Sequence, residues 1–265
     1  MNNNYNITYP SETDYYDINI FNNNFSKLAD AVDSVRSSGY QGDIIVAAYN
    51  STNPLKKYAH FTCTQGDCSA ILNSAIDKVN AGGRIILLDG DFYLSNFWTI
   101  NKKVHITGMG KFYTTFNKRD DNIQAQLIKI TANEVVIENL GFKTNPNTSN
   151  TNLISIGSNK VEINSCYFYI TYTGTGDSAC PIYLSYQFAY TAIRNCLIEK
   201  YKDNRYIVRA ENSQWRGTMT GNFVTNISDN SQLAVSVNLM NQTSKDQIDF
   251  SGQKTTIYIK GSLVG

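Results

Sequence analysis

Paired carboxylates are the first chemistry to look for in this sequence, because two acids can hydrolyse a glycosidic bond. A glycosidase places its two carboxyl groups about 5.5 Å apart for retention, or roughly 6.5–9.5 Å apart for inversion. Glu199 and Asp203 lie close together in the chain and bracket Tyr201 and Lys202. Glu199 and Asp203 are therefore the best catalytic candidates that the sequence offers.

Two other pairs of acids have structural interpretations. Asp89 and Asp91 fall on one face of a predicted strand but flank Gly90, a pattern that favours stabilisation of a tight turn. Asp120 and Asp121 lie in a polar stretch that is typical of a solvated loop. A β-elimination lyase would need a calcium-binding cluster of acids beside a basic residue, and the sequence shows no such cluster.

Histidine and cysteine offer little for a metal site. His60 lies near Cys63 and Cys68 in the chain, but a structural zinc site takes four ligands and the sequence brings no fourth residue to these three. Five cysteines is an odd number, and their spacing favours free thiols in a reducing compartment. The sequence predicts no metal and no cofactor.

Tyrosine is the second source of chemistry, with 18 copies in the chain. Sugar-binding sites combine aromatic rings with a few well-placed amide and hydroxyl groups. The candidate carbohydrate-binding residues lie in the second half of the chain: Tyr167, Tyr169, Tyr172, Tyr201, Tyr206 and Trp215. In an oligomer, the same Tyr-rich face equally predicts a contact between subunits.

Charge and composition exclude other classes of protein. Only 17% of the residues are charged and the formal net charge is +1, whereas nucleic-acid binders carry a basic excess. No apolar run is long enough to predict a membrane span. The N-terminal residues carry neither the basic start nor the apolar core of a signal peptide, which predicts synthesis in the bacterial cytoplasm without a cleaved signal.

A repeated pattern of short β segments must position the candidate side chains. Residues 135–142, 161–168 and 191–198 align with one another. In each copy apolar residues alternate, and the alternation then slips by one position, which turns side chains to the other face and indicates a corner. Successive corner residues are 31, 26, 30 and 26 positions apart: Gly108, Asn139, Ser165, Asn195 and Gly221.

A further strand is predicted upstream of each copy, and these strands are residues 127–130, 153–156, 182–184 and 206–208. Two or three short strands per repeat, without a helix, are typical of one coil of a parallel β-helix. An antiparallel sandwich would show two-residue hairpin turns and simple alternation. The sequence therefore predicts an all-β, right-handed, single-stranded parallel β-helix with Cys166 and Cys196 stacked inside it. Lys111 and Asn222 fall where this pattern expects apolar residues.

The sequence predicts two parts, residues 1–42 and residues 43–265. Apolar residues in the first part follow intervals of 3, 4, 3, 4 and 3, which is a heptad seam: Ile18, Phe21, Phe25, Leu28, Val32 and Val35. This seam predicts either an amphipathic helix that lies on its own domain or the stem of a trimer. In the second part, residues 68–80 have the pattern of a capping helix, with Asp67 as its N-cap and Gly82-Gly83 as its end.

The beginning of the second part resembles the pectate-lyase-like β-helix proteins of phage tails and prophages. The similar features follow one another as a strand at 44–48, the helix after Asp67, the turn at Gly82-Gly83, a strand ending in Asp89-Gly90, and the coil that starts at Val104. Residues 43–110 resemble the family in their motifs, and the remaining residues resemble it in the length of the repeat. Residues 9–25 look like the start of tail-associated proteins from phages of Gram-positive hosts. The family pattern leads us to expect an acidic residue at position 60, and His60 departs from it.

This resemblance implies a virion setting, a homotrimer, other tail proteins as partners and host-surface polysaccharide as a ligand. The architecture hosts lyases, hydrolases, adhesins and structural parts alike. The first hypothesis is a non-enzymatic tail component that binds host glycans or builds the tail tip. The alternative is a glycan depolymerase of tail-spike type, either a polysaccharide lyase or a glycoside hydrolase, with its active site between subunits. The missing secretion signal argues against a third hypothesis, a bacterial adhesin.

Overall fold

The structure is a computed structural model that describes residues 23–27, 43–118, 126–144, 152–171, 180–185, 190–200, 206–210, 216–233, 235–239, 248–249 and 257–260. The chain divides into two compact units, residues 1–42 and 43–265. In the first unit residues 23–27 are helical and the side chain of Phe25 is exposed; the other five positions of the predicted heptad seam lie outside the described residues. None of the described helices is long and apolar enough to cross a lipid bilayer.

The second unit is a right-handed parallel β-helix, as predicted, with its strands stacked coil upon coil in three parallel sheets. Sheet 1 consists, in spatial order, of β2 (Phe61–Thr62), β1 (Ile44–Ala47), β3 (Arg84–Leu87), β6 (His105–Gly108), β9 (Val135–Glu138), β12 (Val161–Asn164), β15 (Tyr190–Arg194), β18 (Arg216–Thr220) and β21 (Ile248–Asp249). Its inner face is a column of isoleucines closed by a methionine: Ile85, Ile106, Ile137, Ile163, Ile193 and Met219.

Sheets 2 and 3 complete each coil. Sheet 2 consists of β4 (Gly90–Leu94), β7 (Thr114–Lys118), β10 (Gly141–Lys143), β13 (Tyr167–Ile170), β16 (Leu197–Lys200) and β19 (Phe223–Asn226). Sheet 3 consists of β5 (Trp98–Ile100), β8 (Gln126–Ile130), β11 (Asn152–Ile156), β14 (Ile182–Leu184), β17 (Val208–Ala210), β20 (Val235–Leu239) and β22 (Ile257–Lys260). The four strands predicted upstream of the aligned copies are β8, β11, β14 and β17, and the last of them begins at Val208 rather than at Tyr206.

The predicted corners lie on one edge between sheets 1 and 2. The strand register places Gly108, Asn139, Ser165, Asn195 and Gly221 one above another. The last four have φ of 58°, 52°, 55° and 66°, in the left-handed region that glycine and asparagine enter most cheaply. Gly108 shares the column but not this conformation. A Cβ there would lie 2.5 Å from the carbonyl oxygen of Asn139, so close packing rather than φ requires glycine.

The core is a set of aligned stacks that run from coil to coil. Four phenylalanines of sheet 2, Phe92, Phe116, Phe142 and Phe168, stack with ring centroids 5.4, 5.6 and 5.1 Å apart. All four are fully buried, and burying such a side chain stabilises a fold by about 1.5–3 kcal/mol. Cys166 and Cys196 are buried interior rungs with free thiols, as predicted.

Two residues that broke the sequence pattern have different explanations. Lys111 falls in an extra loop, residues 109–113, and the register puts Phe116 in the interior column where the pattern expected Lys111, beside Phe142. Thr114 takes the other interior position of this coil, beside Leu140. The hydroxyl of Thr114 donates to the carbonyl oxygen of Leu88 at 3.1 Å. Asn222 is interior and fully buried. Its Oδ1 accepts from the Cys196 amide at 3.0 Å, and its Nδ2 donates to the Ile193 carbonyl at 2.9 Å.

A 3-10 helix at Pro54–Tyr58 and a capping helix at Ser69–Lys78 precede the complete coils. The backbone N-cap of the capping helix is Cys68 rather than Asp67. Asp67 acts from one position earlier, since its Oδ1 accepts from the Ser69 and Ser95 amides at 3.0 Å each. Burial opposes ionisation of Asp67, but the hydrogen bonds from Ser69 and Ser95 outweigh it and lower the pKa to about 2. The indole of Trp98 donates to the Leu72 carbonyl at 3.0 Å and joins the helix to sheet 3.

Candidate functional site

The outer face of sheet 2 brings together three residues that the sequence singled out. One outward column carries Tyr93, Asn117, Lys143, Tyr169, Glu199 and Thr225. Tyr167 lies in the neighbouring outward column, between Gly141 and Leu197. Adjacent strands are about 4.8 Å apart, so Lys143, Tyr169 and Glu199 follow one another at that interval along the axis of the β-helix.

Tyr167 and Glu199 are joined directly. The hydroxyl of Tyr167 donates to Oε2 of Glu199 on the next coil at 2.6 Å. Burial of the phenol and its bond to the carboxylate raise the pKa of Tyr167 above its ordinary value. The phenol therefore stays protonated at neutral pH and fixes the position of the Glu199 side chain.

Phe112 completes an aromatic row that the sequence did not predict. It belongs to the extra loop 109–113, which lies against the sheet where Gly141 leaves room; a Cβ at Gly141 would be 2.5 Å from the carbonyl oxygen of Lys111. The ring of Phe112 packs on Tyr167 with centroids 5.0 Å apart, and Tyr167 is 6.2 Å from Tyr169. The one sequence signal for this loop is the break in the apolar pattern at Lys111, which marks an insertion without naming Phe112.

We call this surface the aromatic face and define it as Phe112, Lys143, Tyr167, Tyr169 and Glu199. Its residues differ in exposure. Phe112 is 57% exposed, Tyr167 is only 9% exposed, and Tyr169, Lys143 and Glu199 are half-buried. Tyr167 is thus a support beneath Phe112, while Phe112 and Tyr169 offer ring surface to a ligand and Lys143 and Glu199 offer hydrogen-bonding groups.

Comparison with known proteins gives no family. No protein-family model matches the chain, and no curated protein matches it. Among solved structures the chain is similar to ORF18 of Geobacillus virus E2, with 12% sequence identity and a TM-score of 0.32 over 96% of this chain and 66% of that one. The chain spans slightly less than two thirds of the length of that protein. A likeness at this level carries no argument about function.

The other candidate residues do not join the aromatic face. Tyr206 is only 4% exposed, so its ring is packed in the interior and presents no open platform. Tyr172, Tyr201, Asp203 and Trp215 lie outside the described residues.

Glu199 has no carboxylate beside it in its own outward column, which holds Tyr169 before it and Thr225 after it. Two acids that face outward from sheet 1 lie beside basic side chains. Glu162 lies 3.4 Å from Arg194, and Glu138 lies 3.0 Å from His105. The described residues therefore show no stacked pair of carboxylates at the candidate site.

Asp89 and Asp91 hold the chain around Gly90, which has a φ of 114°. Asp89 accepts hydrogen bonds from the Ser51 hydroxyl at 2.7 Å and the Thr52 hydroxyl at 2.8 Å, and two backbone amides add to them. Asp91 accepts from the Thr115 hydroxyl, from the side-chain amide of Asn50 at 3.0 Å and from that of Asn117 at 3.1 Å. Burial raises the pKa of each acid, but these hydrogen bonds outweigh it and lower the pKa of both below the ordinary range. Both carboxylates therefore stabilise the turn.

His60 is a structural residue of sheet 1. Its Nδ1 accepts from the Ile45 amide at 3.0 Å, and its own amide donates to the Ile45 carbonyl at 2.9 Å. This bonding gives His60 a structural role at the position where the family resemblance led us to expect an acid. Cys63 and Cys68 are buried free thiols, and the hydrogen bond with Cys68 together with burial raises the pKa of Cys63. The described residues include no group of three or more metal ligands.

Proposed function

We propose that this chain is a phage or prophage tail component that binds a host-surface glycan through the aromatic face. The observation that carries the proposal is the row Phe112–Tyr167–Tyr169, with centroids 5.0 and 6.2 Å apart and a hydrogen-bonded carboxylate at its side. The tail setting rests on the resemblance of residues 43–110 to phage β-helix proteins.

A sugar fits the chemistry of this surface. Pyranose rings present an apolar face of C–H groups and an edge of hydroxyls, and an aromatic side chain with polar neighbours matches both. Lys143 donates hydrogen bonds and Glu199 accepts them, one coil to each side of Tyr169. The parallel stacking repeats side chains about every 4.8 Å, which suits a polymer lying along the axis.

The surroundings of Glu199 support binding without cleavage. Its Oε2 already accepts from a phenol whose pKa is raised, and its outward column supplies no second acid. The alternative, a depolymerase, needs further catalytic groups from residues that lie outside the described ranges or from another subunit. A hydrolase needs a second carboxylate, and a lyase needs a cluster of acids beside a basic residue.

Glycan-array binding and calorimetry test the proposal. The full-length chain is applied to an array of bacterial wall and capsular polysaccharides, and the strongest array glycan is titrated into the wild-type chain and into Tyr169→Ala. We expect affinity to fall at least about tenfold in Tyr169→Ala, which corresponds to about 1.4 kcal/mol.

The matched control is Tyr58→Ala, since Tyr58 lies on the 3-10 helix and is 62% exposed. This control must bind as the wild type does. Unchanged affinity in Tyr169→Ala contradicts the site, and no array binding at all contradicts the function. New reducing ends or unsaturated uronates after incubation favour the depolymerase instead.

We also propose that the chain assembles as a homotrimer, with the heptad seam in residues 1–42 as the contact. Sedimentation velocity at micromolar concentration tests this. A monomer contradicts the trimer. If the aromatic face is a subunit contact rather than a glycan site, Tyr169→Ala will change the sedimenting mass and not the glycan affinity.

A further inference from the structure

A groove on the outer face of sheet 1 forms a concave surface that is distinct from the aromatic face. Its volume is about 920 Å³, and its lining residues come from four consecutive coils, from Lys103 to Arg194. The floor is apolar, because Val136 and Ala192 face outward in one column on either side of Glu162. Short apolar side chains on the outer face of the sheet leave a depression between the charged residues around them.

One rim of the groove is a ladder of charges. Glu134 lies between two lysines, with Oε2 2.6 Å from Nζ of Lys103 and Oε1 3.3 Å from Nζ of Lys160. Glu134 and Lys160 have φ of 60° and 56°, so they mark a second left-handed edge at the start of the sheet 1 strands. Asn159 fixes this edge, because its Oδ1 accepts from the amide of Tyr190 at 2.8 Å.

Arg194 stands at the opposite side of the groove. Its Nη1 lies 3.4 Å from Glu162 Oε1, and its Nε donates to the Thr218 hydroxyl at 3.2 Å. Tyr190 is 43% exposed and belongs to the same strand as Arg194. The groove thus has an aromatic ring near one rim and a planar cation at the other.

The charges of the lining do not balance. Three cations, Lys103, Lys160 and Arg194, face two carboxylates, Glu134 and Glu162. The two lysines share one carboxylate, and their side chains remain 57% and 64% exposed. An anionic group that enters the groove therefore gains attraction from cations that are only partly neutralised.

The backbone favours a saccharide over a peptide. An extended peptide binds a β-sheet by adding a strand to a free edge, but β9, β12 and β15 beneath the groove are paired on both sides in sheet 1. Peptide N–H and C=O groups lying on this face would lose water without gaining the regular backbone bonds that an edge supplies. Sugar hydroxyls do not need an unpaired strand edge, and they can bond to the side chains of Asn159, Lys160 and Glu162.

We propose that this groove binds an anionic saccharide, with acidic groups of the ligand against Lys160 at one rim and Arg194 at the other, and a sugar ring over Val136, Ala192 and Tyr190. The site is independent of the aromatic face, which lies on another sheet. Carboxylate, sulfate and phosphate groups all carry the negative charge that the groove would bind, and the experiment below distinguishes them.

Calorimetry with defined probes tests the proposal on the full-length chain. The probes are an alginate oligosaccharide, its carboxyl-reduced form, dextran sulfate, dextran phosphate, plain dextran and oligoglutamate. We expect binding of at least one anionic saccharide, loss of binding in the matched neutral form, and weaker binding as NaCl rises from about 50 to 500 mM. Which anionic probe binds identifies the acidic group.

Variants connect the binding to the groove. We expect Lys160→Gln combined with Arg194→Gln to weaken binding about tenfold or more, because each removes a charge-assisted hydrogen bond. Tyr190→Ala, which leaves every charge in place, is the second variant and should weaken binding severalfold. Lys129→Gln is the matched control, since Lys129 is exposed on the outer face of sheet 3, and Tyr169→Ala must leave this binding unchanged.

Three outcomes overturn the proposal. They are equal affinity for charged and neutral saccharides, affinity that survives both groove variants in folded protein, and a preference for oligoglutamate, which would indicate an acidic peptide. Thermal unfolding of each variant separates loss of the site from loss of the fold. Failure here together with an intact response to Tyr169→Ala leaves the aromatic face as the glycan site.

Discussion

Tyr167 and Glu199 are 32 residues apart in the chain, but a hydrogen bond of 2.6 Å joins the phenol oxygen of Tyr167 to Oε2 of Glu199 on the next coil. A hydrogen bond from a phenol to a carboxylate is stronger than one between neutral groups. We expect Tyr167→Phe to lower the free energy of unfolding by about 1 kcal/mol and to weaken glycan binding, since Glu199 loses its fixed position. Urea denaturation and calorimetry measure the two effects. Tyr113→Phe, at a position 70% exposed, is the control, and equal stability of both variants contradicts the prediction.

Asn222 is a polar residue in the core, yet we expect it to contribute strongly to the free energy of unfolding. Its amide satisfies the Cys196 N–H and the Ile193 C=O inside the core. Asn222→Leu leaves both backbone groups without that partner, and each such loss costs about 1–3 kcal/mol. We therefore expect the free energy of unfolding to fall by about 2–5 kcal/mol in chemical denaturation. Asn80→Leu, an exposed position, should change it by less than about 0.5 kcal/mol; a similar fall in both variants would count against this role.

Ser165 is the one corner residue with a poor side chain for its backbone. Its φ of 52° lies in the left-handed region, where asparagine, present at Asn139 and Asn195, is tolerated better than serine. We expect Ser165→Asn to raise the midpoint of thermal unfolding by a few degrees and Ser165→Val to lower it by more. The two variants differ in direction, so a shift of the same sign in both would refute the argument.

The corner column was predictable because it depends on a local rule. A one-residue slip in alternation, repeated at Asn139, Ser165 and Asn195, fixes both the bend and the faces of the strands that flank it. The same rule gave the interior positions of Cys166 and Cys196. Register between coils then follows without any knowledge of long-range contacts, since identical corners stack.

Loops and surfaces were less predictable, for two physical reasons. The insertion at 109–113 moves Phe112 over Tyr167 without changing the corner, and nothing in the local alternation says where an inserted loop lies. Tyr206 precedes β17, so the alternation of side chains along that strand does not predict which way Tyr206 faces. The charges of the groove, Lys103, Glu134 and Lys160, meet only because three coils stack, so no short stretch of sequence contains them together.

Lys200 gives the fold a dependence on pH. It is 3% exposed on the inward side of β16, in register with Asn226, and burial lowers its pKa from 10.5 to about 8. Between about pH 8 and 10.5 the unfolded chain holds a proton that the folded chain has released, so stability contributed at this residue rises with pH and is least below pH 8. We expect the difference in unfolding free energy between wild type and Lys200→Met to shift in favour of the wild type as pH rises from about 7 to 10. Urea denaturation at each pH measures it. Lys129→Met, at an exposed position, is the control at the same pH values, and a pH-independent difference for Lys200→Met would contradict the lowered pKa.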